Sequence, residues 1–127
     1  MFLITMFTVT TATANNLQTC SNNVRSTNAS FTISSTGKAT LSIEYNGISS
    51  VTKNAIINSK IQKKVGLIWM TVNGAKWEDI SKATNYYNSH STQLSSKGNY
   101  RAYITYVISG NGEKNDEITK TIEKTYS

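Results

Sequence analysis

The chain has 127 residues, the usual length of one domain, and can bury roughly two-thirds of the surface that its unfolded form exposes. Hydrophobic residues make up 38% of it and charged residues 16%, and 13 Lys and Arg against 7 Asp and Glu give a net charge of +6. This charge favours acidic partners. Its basic residues are scattered rather than set in a dense stripe, which disfavours a nucleic-acid ligand. One histidine and one cysteine exclude a zinc cage of these side chains and an internal disulfide framework.

The first 14 residues, MFLITMFTVTTATA, have the pattern of a secretory signal peptide. An apolar run is followed by small residues, with Ala12 and Ala14 in an A-x-A arrangement, although no basic residue precedes Arg25. We therefore expect residues 1–14 to be a signal peptide remnant and the protein to be secreted or at the cell surface. An apolar first strand is the alternative, and the segment is too short to span a bilayer as a helix. Residue Cys20 is expected to be a free thiol, with lipid attachment as the alternative.

Residues 15–27 are predicted to be an N-terminal extension and residues 28–127 a single domain. From Asn28 onward the apolar residues recur with a period of two, which indicates strands with one buried face. This alternation is clearest over residues 29–33, 39–45, 55–61, 100–108 and 118–126, and turn signals of Gly and Asn separate the runs. About seven strands at this spacing predict an all-β fold, an immunoglobulin-like antiparallel sandwich.

Residues 67–72 are apolar at both even and odd positions. Such a run predicts a strand near the centre of the sandwich. The dipeptide Asn73-Gly74 follows it and predicts that this strand ends in a turn. Trp77 then stands alone in a polar stretch, where it is expected to cover a core edge or to present an exposed binding surface.

The stretch from Leu94 to Tyr106 resembles the tyrosine corner of immunoglobulin-like and fibronectin-type domains. A leucine and small polar residues lead to Gly98, and Tyr100 then opens an alternating strand. The resemblance implies that Tyr100 is structural, with its hydroxyl bonded to backbone a few residues upstream. It also implies that Trp69 is the buried tryptophan of such domains.

Several segments along the chain resemble a family of small secreted proteins of unknown function from Clostridium-type Gram-positive bacteria. The similar segments are residues 34–40, 60–64, 94–102 and 118–126, together with Trp69 and Trp77. This resemblance implies export. It supplies no activity and no functional residues.

No catalytic, cofactor-binding or metal site is predicted. A glycosidase needs two carboxylates about 5–10 Å apart, and Glu78 and Asp79 are the residues whose mutation would test for a hydrolase. The only histidine, His90, is surrounded by hydroxyl residues and is expected to face solvent. The chain contains neither a P-loop nor a dinucleotide fingerprint.

The favoured function is therefore a non-enzymatic extracellular binding module. Its partner would be an extracellular protein, a glycan or an anionic cell-wall polymer. The alternatives are a self-associating structural or matrix protein, since polar strands without proline leave their edges unguarded, and a cationic membrane-active protein. The ligand-facing side chains are predicted to be four aromatic residues: Trp77, Tyr86, Tyr87 and Tyr103.

Overall fold

The computed structural model describes residues 23–111 and 114–127, and this part of the chain is built from β-strands. In chain order the strands are β1 (Val24–Ile33), β2 (Lys38–Gly47), β3 (Thr52–Val65), β4 (Ile68–Ser81), β5 (Asn85–Gln93), β6 (Gly98–Gly110) and β7 (Asp116–Tyr126). Strand β1 begins at Val24, inside the segment that the sequence predicts to be an extension. The predicted signal peptide and Cys20 lie outside the described residues.

The seven strands form two antiparallel sheets, one in the order β1-β2-β5 and the other in the order β4-β3-β6-β7. The sheets face each other so that β1 contacts β7 and β4 contacts β5 across the two open sides. The predicted all-β fold, an immunoglobulin-like sandwich of seven strands, is confirmed. One strand is placed differently from an immunoglobulin constant domain, because β4 joins the second sheet and leaves β5 as an edge of the first.

The core lies between the sheets, where the alternating apolar residues of both inner faces meet. Three tyrosines are fully buried there, and each donates its hydroxyl to a nearby acceptor. Tyr45 reaches the carbonyl oxygen of Ala83 at 2.6 Å, and Tyr106 reaches that of Asn28 at 2.9 Å. Burial raises the pKa of Tyr106 well above its ordinary value. These bonds compensate the cost of burying a phenol oxygen. The two aromatic rings therefore fill the core while both hydroxyl groups keep a hydrogen-bond partner.

The third buried tyrosine, Tyr100, forms the predicted corner at the start of β6. Its hydroxyl donates to the carbonyl oxygen of Ser96, four residues upstream, at 2.5 Å. The side chain is only 2% exposed. This geometry is that of a tyrosine corner, and it fixes the connection by which the chain passes from β5 in one sheet to β6 in the other.

The prediction of a turn at Asn73-Gly74 is wrong, because β4 continues through this dipeptide to Ser81. The β3–β4 register jumps here from Lys60 opposite Lys76 to Gln62 opposite Thr71. Extra residues of β4 are therefore accommodated as a bulge, and Gly74 takes a positive φ of 79° within it. The dipeptide Asn73-Gly74 does mark an irregularity of the backbone, but this irregularity bends the strand instead of ending it.

The prediction that residues 67–72 form a central strand is also wrong. Strand β4 is an edge strand, and the hairpin turn that joins it to β3 leaves Leu67 96% exposed and Ile68 60% exposed. Apolar residues at both parities indicate two similar faces, but the pattern cannot distinguish a strand covered on both sides from one that projects beyond the core.

Candidate functional site

The outer faces of the two sheets differ in character. On the three-stranded sheet, the register brings small hydroxyl residues into rows, such as Ser30 beside Ser42 and Ser42 beside Ser89. A shallow groove crosses this face between Glu44 and the exposed Tyr87. The outer face of the four-stranded sheet instead carries cationic and aromatic side chains, and it is the richer surface for recognition.

Four residues on that face form a cluster that we call the cationic–aromatic cluster: Lys60, Trp69, Arg101 and Tyr103. The Arg101 guanidinium lies 4.5 Å from the ring centroid of Trp69 and 5.5 Å from that of Tyr103, and Lys60 Nζ lies 5.3 Å from the Tyr103 centroid. Each distance falls within the range of a cation–π interaction. The cluster therefore holds two cations against two aromatic rings on an open sheet surface.

Strand register explains how residues far apart in the sequence meet in this cluster. Lys60 on β3 is paired with Tyr103 on β6, and Gln62 is paired with Arg101 two positions further along. Residues spaced by two share a face of a strand, so these side chains emerge on the same side. Trp69 emerges there too, because it is paired with Lys64, two residues beyond Gln62. Arg101 Nε donates to Gln62 Oε1 at 2.7 Å, which fixes the plane of the guanidinium over Trp69.

The Arg101 guanidinium remains charged at neutral pH. Partial burial lowers the pKa of Arg101, and the carboxylate of Glu123, its partner on β7, raises it. Arginine has so high an ordinary pKa that this balance leaves it protonated. Its N–H groups other than Nε therefore remain charged donors for an acidic ligand.

Trp69 belongs to this surface and not to the core, so its predicted role as the buried tryptophan is wrong. It lies on the outer face of β4, opposite Lys64 of β3. The side chains that pack in or against the hydrophobic core do not include it. Because this is the outer face of the sheet, the other sheet does not cover it, and Arg101 packs over the ring instead.

A second group of residues joins the two sheets at the side where β4 faces β5. We call it the Asp79 cluster: Trp77, Asp79, Tyr86, Asn88 and His90. The Asp79 carboxylate accepts hydrogen bonds from Tyr86 at 2.7 Å, from Asn88 at 2.6 Å and from His90 Nε2 at 2.7 Å. The His90 ring also stacks on Trp77, with centroids 4.8 Å apart and an angle of 6° between the planes.

The Asp79 cluster sits in a partly water-excluded site. The side chain of Asp79 is 5% exposed and that of His90 is 16% exposed, so the expectation that His90 faces solvent is wrong. Burial raises the pKa of Asp79, and the hydrogen bonds from His90, Tyr86 and Asn88 lower it. The hydrogen bonds together outweigh burial, so the pKa lies below its ordinary value. Burial and the adjacent carboxylate raise the pKa of Tyr86. The arrangement therefore favours an ionised Asp79 and a neutral Tyr86.

The four aromatic residues predicted to face a ligand are separated by the structure. Tyr103 lies in the cationic–aromatic cluster, and Tyr87 is 64% exposed on the opposite sheet, where its hydroxyl contacts Ser42. Trp77 and Tyr86 point between the sheets and pack against the core, a placement that favours a structural role. Sequence reasoning placed Trp69 in the core and did not select Lys60 or Arg101. These three residues lie on neighbouring strands of one sheet, and their proximity can be predicted only when the strand pairing is known.

None of the described Cys, His, Asp and Glu side chains form a group of three or more that could hold a metal ion. In the part of the chain that the structure describes there is no helix with the length and apolarity needed to cross a bilayer.

Comparison with solved structures finds distant structural neighbours. One of them is the crystal structure of a β-glucosidase from Listeria innocua in complex with glucose, with a TM-score of 0.44 and 9% sequence identity. The matched region covers 76% of this chain and 16% of the glucosidase chain. No protein-family model and no curated protein matches the sequence. A likeness of this size assigns no activity.

Proposed function

We propose that the chain is a secreted or cell-surface binding module, without enzymatic activity, that binds an acidic extracellular polymer through the outer face of its four-stranded sheet. The observation that carries the proposal is the cationic–aromatic cluster, in which Arg101 and Lys60 are held against Trp69 and Tyr103. A sheet surface of this kind offers charged donors to phosphate or carboxylate groups and ring faces to the sugars between them.

The distribution of lysines around the cluster supports an acidic ligand. Lys60 is paired directly with Lys76 of β4, and Lys64 lies four residues further along β3 on the same face. Like charges directly opposite each other in a sheet are destabilising. A bound polyanion would relieve this repulsion, so the pairing favours a binding surface over a purely structural one.

Export is supported by the signal-like residues 1–14 and by the resemblance to small secreted proteins of Gram-positive bacteria. The surface of such cells carries anionic wall polymers, whose charge is opposite to the net charge of +6 on this chain.

The self-associating structural protein is the second candidate, because β4 and β5 are both edge strands and present unpaired backbone groups.

The Asp79 cluster gives little support to a hydrolase. A histidine oriented by a carboxylate can serve as a general base, but it must reach a nucleophile or a substrate. The His90 ring is stacked on Trp77, and within the described part of the chain its hydrogen-bonded side-chain partner is Asp79. The cluster is better explained as an inter-sheet contact.

Binding to a purified poly(glycerol phosphate) wall polymer and to polygalacturonate tests the proposal, with neutral dextran as the control ligand. The double variant Lys60→Gln/Arg101→Gln should weaken binding about tenfold or more, since charge-assisted contacts are lost. The matched variant Lys82→Gln/Lys114→Gln removes the same charge at the opposite end of the sandwich and should bind nearly as the wild type does.

Arg101→Lys separates charge from geometry, because lysine keeps the charge but lacks the planar fork that stacks on Trp69. We expect intermediate binding for this variant. Equal losses of affinity in the two double variants would show that binding depends on net charge and not on the cluster. Absence of binding by the wild type to either polymer would refute the proposal. Thermal unfolding of each variant would establish that it is folded.

A further inference from the structure

The end of the β3–β4 hairpin is an exposed apolar projection, which we call the hairpin tip: residues 65–70. Leu67 is 96% exposed, Ile68 60%, Met70 51% and Val65 48%. Single exposed apolar residues are common on protein surfaces, but a contiguous set of them marks an interaction site.

The hairpin tip extends past the sheet that supports the rest of β3. The pairing of β3 with β6 ends at Lys63 opposite Tyr100, whereas its pairing with β4 continues to Val65 opposite Ile68. Beyond that point the hairpin has two strands only. It carries apolar side chains on both faces, with Val65, Ile68 and Met70 on one and Trp69 on the other. The tip therefore presents open apolar surface at its turn and on the face of Val65, Ile68 and Met70, whereas on the other face Trp69 lies beside Lys64 and under Arg101.

Basic residues surround the base of the tip. Lys63 Nζ donates to Ser96 Oγ at 2.6 Å and lies 5.9 Å from the ring of Tyr100. Tyr100 is paired with Lys124 on β7, and Lys97 lies just before β6 begins. With Lys64 and Arg101, these residues give this end of the sandwich a positive charge, which Glu123 offsets in part.

The combination of an apolar projection and a cationic base identifies what can cover the tip. A second copy of this end would bring like charges together, which opposes association. A protein partner would need a deep apolar pocket with an acidic rim. An anionic bilayer supplies both features, since its acyl boundary accepts Leu, Ile and Met side chains and its phosphate layer attracts lysines. Tryptophan and lysine are also suited to the interface itself.

We propose that the hairpin tip inserts into the interfacial region of an anionic lipid bilayer, with Leu67 and Ile68 reaching the acyl boundary. The lysines at its base then lie at the level of the lipid phosphates. This inference stands on residues 65–70 and their surroundings and does not depend on polymer binding by the cationic–aromatic cluster.

Co-sedimentation of the full chain with vesicles tests this proposal. Vesicles of phosphatidylglycerol and phosphatidylcholine in equal parts should bind the protein, and vesicles of phosphatidylcholine alone should bind it far more weakly. The variant Leu67→Ser/Ile68→Ser should lower partitioning by about tenfold or more, because two exposed apolar side chains are removed without a change in charge.

The matched control is Ile56→Ser/Ile80→Ser. These two residues are paired on the outer face of β3 and β4, are 40% and 66% exposed, and lie away from the tip. Their replacement should leave vesicle binding within about twofold, which is inside the effect expected of surface changes. In wild-type protein, brominated acyl chains should quench the fluorescence of Trp69, and Trp69→Phe should remove most of that quenching.

Three outcomes would overturn the proposal. They are absence of binding to the anionic vesicles, equal losses for the tip variant and its control, and binding that neither variant changes, which would indicate charge attraction alone. Self-association that the tip variant abolishes, without vesicle binding, would assign the tip to contacts between copies. Binding of the tip variant to acidic polymers should be unchanged, so failure here is distinguishable from failure of the proposed function.

Discussion

At the scale of single residues, Asp79 shows how a charged group is retained inside the sandwich. Its carboxylate is nearly inaccessible to solvent and accepts three hydrogen bonds, from Tyr86, Asn88 and His90. Burying a carboxylate is costly unless such donors replace water. All three donors come from β5, whereas Asp79 belongs to β4. The contact therefore ties two edge strands of different sheets that share no backbone hydrogen bonds.

Asp79→Asn should lower the free energy of unfolding at pH 7 by about 2–4 kcal/mol, because an amide cannot accept from all three donors. The pKa of Asp79 in the folded state is below its ordinary value. Its stabilising contribution is thus present above that ordinary value, and is lost as the pH falls through the folded pKa. The difference between wild type and variant should be large at neutral pH and should shrink in strong acid.

Urea unfolding over a pH series measures this difference. Glu78→Gln is the matched control, since it neutralises the adjacent exposed carboxylate on the other face of β4. That variant should be within about 0.5 kcal/mol of wild type. A constant gap between Asp79→Asn and wild type down to strong acid would contradict the assignment of a lowered pKa.

Sequence patterns identified individual core residues well and surface residues poorly. The placement of Tyr100 followed from a local motif, with its acceptor only four residues away. The partners of Trp69 and Asp79 come from other strands, at separations of up to about thirty residues, and no local pattern specifies them. Composition around His90 indicated exposure, but its strand parity, shared with Tyr86 and Asn88, determines that it faces inward.

At the scale of elements, the connection between β5 and β6 depends on the Tyr100 corner. Tyr100→Phe keeps the buried ring and removes the hydrogen bond to Ser96, so we expect a loss of about 1–2 kcal/mol in the free energy of unfolding. Tyr87→Phe is the control, because its hydroxyl contacts Ser42 at an exposed position at 3.3 Å. Chemical denaturation of both variants provides the test, and equal losses would show that the corner makes no special contribution.

Strands β1, β2, β6 and β7 follow from the period of two, because each has one face on the core and the other toward solvent. Strand β4 does not, for two physical reasons. Its bulge at Gly74 changes the parity midway, and its first residues project beyond the sheet where no core imposes alternation. Both departures occur in the element that carries Trp69 and half of the hairpin tip.

At the scale of the whole molecule, the net charge of +6 predicts how binding responds to salt. Screening shortens the reach of surface charges from about 10 Å at 0.1 M to about 3 Å at 1 M ionic strength. Polymer binding through Lys60 and Arg101 should therefore fall steeply as sodium chloride is added. Calorimetric titrations at several salt concentrations measure the slope, and salt-independent affinity would contradict an electrostatic interface.

The dependence on salt also separates the two candidate functions. Association through the edges of β4 and β5 uses backbone hydrogen bonds, and salt should strengthen it by screening the repulsion between cationic chains. Light scattering across a wide concentration range should show a monomer if the protein is a binding module. Growth of larger species with added salt would favour the structural protein.

The order of strands in the two sheets also determines when the domain can fold. Strand β2 has one neighbour until β5 exists, and β3 has one neighbour until β6 exists, because the chain alternates between the sheets. Pairings between strands distant in sequence are slow to form. A growing chain therefore lacks a complete sheet until most of it has been synthesised. Such late completion is compatible with the export that we propose, because an exported chain has to stay unfolded until it has crossed the membrane.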